Sequence, residues 1–302
     1  MRTALASVFA AAALCGAAWA AAGSEVIAKI DVGGQPCGVV GTPTGVWVSD
    51  YKSGDLIKLD PATATVALRV KTNAVPCEIT YGKGSLWVPS RAGSLLRVDP
   101  TSGRVIARIK IDSDVQDVLS YAGAIWLAAY GTGRVIRVDP KTNKVSRKIR
   151  IPGATLSGIT RGGGAVWVGQ TQGSAVFRID PKTNRVSTVR TGARGPAWLA
   201  SSGDAVWISN IYDKSVMRLD PVTRKVTARI AVGADPVNLE VIGRTVWVPN
   251  DRVNTVTRID ADTAKILEVI PTAANPAVVG AGAGDAWVTM FDAGAVWRIR
   301  GT

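Results

Sequence analysis

Val206-Trp207-Ile208-Ser209-Asn210, then Val216-Met217-Arg218-Leu219-Asp220-Pro221, then Val226-Thr227-Ala228-Arg229-Ile230-Ala231-Val232-Gly233 form the stretch from which the fold can be read. Each piece alternates or runs apolar over the length of a short strand, and turn residues fill the gaps. The same text recurs along the chain. Trp47, Trp87, Trp126, Trp167, Trp207, Trp247 and Trp287 stand 39 to 41 residues apart. A basic residue follows each of them ten or eleven positions later: Lys58, Arg97, Arg137, Arg178, Arg218, Arg258 and Arg298. Two residues further on come Asp60, Asp99, Asp139, Asp180, Asp220 and Asp260, five of them followed by proline; the last repeat has Arg300 instead. An Asp side chain accepts backbone N–H bonds two residues on, and proline presets φ for the first corner, so Asp-Pro marks a turn.

One period supplies four strands. In the fourth repeat they read Gly158-Ile159-Thr160, Ala165 to Val168, Ala175 to Ile179 and Arg185 to Val189. Seven such periods predict an all-β fold, a seven-bladed β-propeller of four-stranded antiparallel blades. The last repeat supplies three strands only, around Val278–Gly280, Ala286–Val288 and Val296–Ile299. Val26 to Gly33 reads like a fourth strand, so the N-terminal strand is expected to complete the last blade and remove an exposed edge. One large ring at a fixed place in each blade reads as packing between sheets.

Residues 1–22 read as a signal peptide: Met1-Arg2 is basic, Ala4 to Ala18 is apolar, and Ala18-Trp19-Ala20 fits a cleavage site. The expected mature protein is a single domain, 23–302, periplasmic or secreted, monomeric, with no transmembrane anchor. The chain has 302 residues and no histidine. That excludes Ser-His-Asp and Cys-His catalysis and an imidazole zinc site. The formal charge of +13 raises the question of polyanions. On the repeat, most basic residues fall in outermost strands and the turns before them. The face formed by the fourth-to-first and second-to-third loops carries six basic residues and nine acids, so it is mixed and slightly acidic.

With its Val-Trp-Ile-Ser-Asn, Met-Arg-Leu-Asp-Pro and Gly233-Ala234-Asp235-Pro236 signatures, the chain resembles the YVTN-type, YncE-like family of seven-bladed propellers over its whole mature length. The resemblance implies the fold; such propellers host binding proteins, lyases and lactonases alike. Streptogramin lyases look similar but build a metal-assisted site around histidines, which this sequence lacks. DNA binding is implied for some YncE-like proteins.

Candidate site residues come from positions where the repeat diverges. Nine residues before each repeat Trp stand Gly38, Glu78, Asp117, Gly158, Trp198, Asn238 and Val278, a ring near the start of the innermost strands. Glu78, Asp117 and Asn238 are hard oxygen ligands of the kind Ca²⁺ or Mg²⁺ takes. Trp198, a tryptophan off the repeat position, is the expected stacking contact. The second-to-third loops add Tyr51, Arg91, Tyr130, Gln170, Asn210, Tyr212 and Asp251, aromatics beside charges such as sugar, peptide and single-stranded nucleic-acid platforms use. Cys37 and Cys77 occupy equivalent places in neighbouring repeats. Export favours a disulfide between them; two free thiols acting as soft-metal ligands are the alternative.

The leading expectation is an exported non-enzymatic binding or scaffold propeller that recognises a small polar ligand, a peptide or an envelope protein, with no resident cofactor. The second is a lactonase- or lyase-type enzyme using Glu78, Asp117 and Asn238 to hold a divalent cation. Nucleic-acid binding is the third.

Overall fold

A computed structural model describes residues 23–301, so the signal-peptide expectation for 1–22 lies outside the described residues. Seven four-stranded antiparallel sheets stand around a central channel. In blade one these are Pro36–Thr42 (innermost), Gly45–Asp50, Asp55–Asp60 and Thr65–Lys71. No helix among the described residues is long and apolar enough to cross a membrane.

The repeat spacing becomes a register. Trp47 lies opposite Lys58, Trp87 opposite Arg97, Trp126 opposite Arg137, and the same pairing holds in the other four blades. Cross-strand partners on one face are close enough to interact, and the cation caps the ring. Arg258 sits 4.9 Å from the Trp247 ring centroid, and Arg97 and Arg137 sit 5.1 Å from theirs. All seven indoles are essentially inaccessible to solvent. Each packs into the apolar face of the following blade: Trp87 against Ile125 and Leu127, Trp167 against Val206 and Ile208, Trp287 against Val46 and Val48.

The basic residue also crosses to the next blade. Arg97 Nη1 donates to Pro140 O at 2.9 Å, Arg137 Nη1 to Pro181 O at 3.2 Å, and Arg298 to Pro61 O. These carbonyls belong to the Asp-Pro turns, whose shape is held as expected by the Asp side chain. Asp99 Oδ1, for example, accepts from Thr101 N at 3.0 Å and Ser102 N at 2.8 Å. Such backbone bonds favour the charged carboxylate and hold Asp99, Asp180, Asp220 and Asp260 below the usual aspartate range.

Glu25–Asp31 pairs antiparallel with Ala295–Arg300 as the outermost strand of blade seven. Lys29 Nζ lies 4.1 Å from the Trp297 ring centroid. Blade seven has no Asp-Pro turn for Arg258 of blade six to reach; Arg258 Nη1 instead donates to Ser24 Oγ at 2.7 Å and Glu268 Oε2 at 3.0 Å.

Arg137→Met removes a ring contact and an inter-blade hydrogen bond, and is expected to cost about 1–2 kcal/mol in urea denaturation. Trp126→Ala should cost roughly 3–5 kcal/mol. Deleting residues 25–33 strips a strand from blade seven and should lower the midpoint more than either; a midpoint near wild type would contradict its structural role.

Candidate functional site

The inner strands are irregular where the divergent ring sits. Their pairing with the second strand shifts register between Pro36 and Val39, Val115 and Asp117, Leu156 and Ile159, Pro196 and Trp198, and Pro276 and Val279. In blades two and six the regular inner strand shortens to Thr80–Gly82 and Glu240–Ile242. Bulges of this kind re-aim side chains, and here they turn the ring positions toward the channel mouth.

Two cavities result. The upper one, about 370 Å³, is lined by Tyr51, Glu78, Arg91, Trp198, Asn238, Asp251 and Phe291, together with Cys37, Cys77, Gln116 and Asn275. The lower one, about 380 Å³, runs down the channel past Glu78, Asp117, Arg161, Asn238 and Glu240. Glu78, Asn238 and Val278 line both and form the boundary between them. Six of the eleven candidate residues thus share the upper cavity, and Asp117 belongs to the channel below.

The remaining four lie elsewhere. Gln170 Nε2 donates to Ala175 O at 3.0 Å, and Asn210 Nδ2 to Ser215 O at 3.2 Å. Both are buried and tie their second-to-third hairpins rather than face the mouth. Tyr130 and Tyr212 line neither cavity, and Tyr212 is 53% exposed. At the ring, Gly38 and Gly158 are packing positions. A Cβ on Gly158 would come 2.7 Å from Trp198 Cα, so only glycine lets blade four approach the strand that carries that tryptophan. At these two places the ring serves the close approach of neighbouring inner strands.

At the mouth, Tyr51 lies between two partners. Its ring centroid is 6.2 Å from that of Phe291 and 5.6 Å from the Arg91 guanidinium carbon. Arg91 Nη2 donates to Gln116 Oε1 at 3.2 Å. Burial and the neighbouring Asp235 and Asp292 push the Asp251 carboxyl up. Glu78 is buried; desolvation and then Asp117 raise it well above the usual glutamate range, against a hydrogen bond from Asn238 and the nearby Arg91. Asp117 is pushed up to about 7 by burial, although its oxygens accept from Val118 N at 2.7 Å and Ile159 N at 2.8 Å. Those bonds turn the carboxylate into the wall between blades three and four. Glu240, also pushed up to about 7 by burial, faces Arg161 across the channel.

Asn238 hydrogen-bonds to the Glu78 side chain, and Glu78, Asp117 and Asn238 all line the lower channel cavity, where both Asp117 oxygens accept backbone N–H bonds. Among the described residues, the group of three His, Cys, Asp or Glu residues whose ligand atoms lie within 4.8 Å of one another is Cys37, Cys77 and Glu78. Cys37 and Cys77 form a disulfide, with Cα atoms 4.9 Å apart.

Glu240 and Arg161 were not anticipated, yet a signal existed. Seven positions before the repeat Trp the chain reads Val40, Thr80, Leu119, Thr160, Ala200, Glu240 and Gly280, and Glu240 is the one charge in the row. Gln116, at the start of the blade-three inner strand, and Asn275, in the turn before that of blade seven, stand outside the two rows and carried no such signal.

Unfolded carboxyls titrate near ~4 and Asp117 and Glu240 near 7, so the folded chain holds extra protons between these values. Their contribution to stability is fully present below about pH 4 and is lost as pH rises through about 7. Glu240→Gln should therefore raise the melting temperature at pH 8.5 by roughly 5 °C and change it little at pH 5. Equal shifts at both pH values would contradict the channel assignment.

No protein-family model and no curated protein matches the sequence. Solved structures do match in fold. Virginiamycin B lyase from Staphylococcus aureus superposes with a TM-score of 0.80 at 18% identity, covering 92% of this chain and 99% of that one. BamB from Moraxella catarrhalis gives a TM-score of 0.64 at 16% identity over 88% and 83%. Kuenenia stuttgartiensis hydrazine synthase gives 0.76 at 15% identity over 88% and 95%. At these identities the likeness is one of architecture alone.

Proposed function

We propose that this chain is an exported binding propeller whose upper mouth takes a small polar ligand, or a side chain of a peptide or envelope partner, bearing a flat ring beside a cationic or hydrogen-bond-donating group. The carrying observation is the cavity of about 370 Å³ in which Tyr51, Phe291 and Trp198 surround the buried Glu78 and its partner Asn238. Flat rings offer stacking surface at little entropic cost, and a buried carboxyl gains most from a donor or cation that replaces its lost water.

Two observations favour binding over the alternatives. A histidine-to-alanine variant of virginiamycin B lyase, solved with quinupristin, is described as catalytically inactive, and this chain has no histidine to supply such a group. On the upper face the arginines are engaged by acids. Arg194 contacts Asp213 at 2.9 Å, Arg252 contacts Asp235 at 2.5 Å and Arg134 contacts Asp112 at 3.2 Å, which leaves little unpaired positive field for a nucleic acid over the channel. The export reading rests on the leader-like 1–22 segment.

The test is calorimetric titration with aryl-alkylammonium probes, tryptamine first. Binding by the wild type should weaken about tenfold or more in Trp198→Ala and in Glu78→Gln, and persist in Tyr212→Ala, whose side chain lies outside the cavity. Probes that bind all four proteins alike would remove the mouth from consideration.

A further inference from the structure

Beyond ligand capture, we infer that the Cys37–Cys77 pair, once reduced, forms with Glu78 a site for a thiophilic divalent cation, Zn²⁺ in the first instance. The sulfurs of both cysteines and a carboxylate oxygen of Glu78 already lie within 4.8 Å of one another. Two thiolates at ~2.3 Å and one carboxylate oxygen at ~2.1 Å around a tetrahedral zinc are separated by ~4 Å or less, so on reduction the sulfurs part from their ~2 Å bond and the carboxylate shifts only slightly. Thiolate donors select zinc over the hard cations Ca²⁺ and Mg²⁺.

The convergence does not depend on the sulfur–sulfur bond. Cys37 and Cys77 lie on neighbouring inner segments that are joined by the backbone itself. Gly38 N donates to Cys77 O at 2.8 Å. Ser49 Oγ sits between the same two groups, accepting from Gly38 N at 2.9 Å and donating to Cys77 O. In the ring, Thr289 Oγ1 repeats this tie from blade seven, donating to Cys37 O at 2.8 Å. Opening the disulfide therefore leaves the two cysteines held by four hydrogen bonds that do not involve sulfur. Asn238 hydrogen-bonds to the Glu78 side chain and orients the third ligand, the role outer-shell groups play at zinc sites. Both cysteines line the upper cavity, so a cation there keeps a fourth position toward the space that a ligand enters.

The step balances with a low-molecular-weight thiol as reductant. Two equivalents of R–SH supply two electrons and two protons, the Cys37–Cys77 bond breaks to two thiols, and R–S–S–R is released. Zinc then displaces one proton from each thiol. The oxidised protein offers no thiolate and does not bind.

The test uses the intact mature chain reduced with a water-soluble phosphine, desalted without air, loaded with Zn²⁺ in the presence of Ca²⁺ and Mg²⁺, and freed of excess metal by gel filtration. Reduced wild type should retain about one zinc per chain, and the oxidised protein and Cys37→Ser none. Cobalt substitution should show thiolate-to-metal charge-transfer absorption. Asn238→Ala should weaken zinc binding by roughly 10-fold, and Glu78→Gln by at least as much. Trp198→Ala should bind zinc like wild type, which separates this outcome from that of ligand capture. Zinc retention no greater in reduced than in oxidised protein overturns the inference. So does equal affinity in Glu78→Gln, which would place the metal on bare thiols, or loss of the native tryptophan emission on reduction.

Discussion

A tryptophan on the second strand of each blade faces a cation on the third, and three of those cations, Arg97, Arg137 and Arg298, also reach the Asp-Pro turn carbonyl of the next blade. The ring fills the apolar seam between blades, and the cation caps the ring while satisfying a carbonyl that would otherwise lie at the seam. A cation over an aromatic face is worth about 0.5–2 kcal/mol depending on desolvation. Burial of the indole contributes more, and the buried indole recurs at each interface. Blade-to-blade cohesion therefore runs through the second-strand rings together with the inner strands that pack on one another around the channel, each blade holding its neighbours as in other repeat architectures.

The inner strands share in the seams through residues such as Val39, Val118 and Ile159, yet at their upper ends they bulge, shorten and carry polar groups around the channel. Glu78, Asp117 and Glu240 occur where the chain leaves regular pairing or faces channel space, and burial raises all three carboxyls. The freedom has limits. Gly38 and Gly158 are fixed by the close approach of adjacent inner strands, and Asp117 is held by two backbone N–H groups. What remains available at the mouth is the aromatic set around Glu78 and Asn238, beside a disulfide whose neighbours are bound through backbone and hydroxyl bonds.

The net positive charge takes its meaning from this architecture. Many basic residues lie in outermost strands, where Lys and Arg discourage edge-to-edge association, and the repeated third-strand cations are spent on rings and carbonyls. On the upper face, ion pairs absorb much of the arginine charge. The mouth is left with carboxyls, flat rings and Arg91, which stacks on Tyr51.

Sequence alone determined the blade number, the strand order within a blade, the Asp-Pro turns and the structural role of the repeat tryptophans, because each is a local pattern repeated seven times and a period of about 40 residues admits few other folds. It also marked Glu78, Asp117, Trp198 and Asn238 as departures from the repeat. Which departures share a cavity was settled only by tertiary structure. Glu78, Asn238 and Trp198 meet across the channel from blades two, six and five, whereas Gln170 and Asn210 fold back on their own hairpins and Asp117 bonds into the wall. A propeller brings residues 40, 120 or 160 positions apart to the same mouth. The direction each takes depends on one-residue bulges and on the side-chain bonds available nearby, which the repeat does not encode.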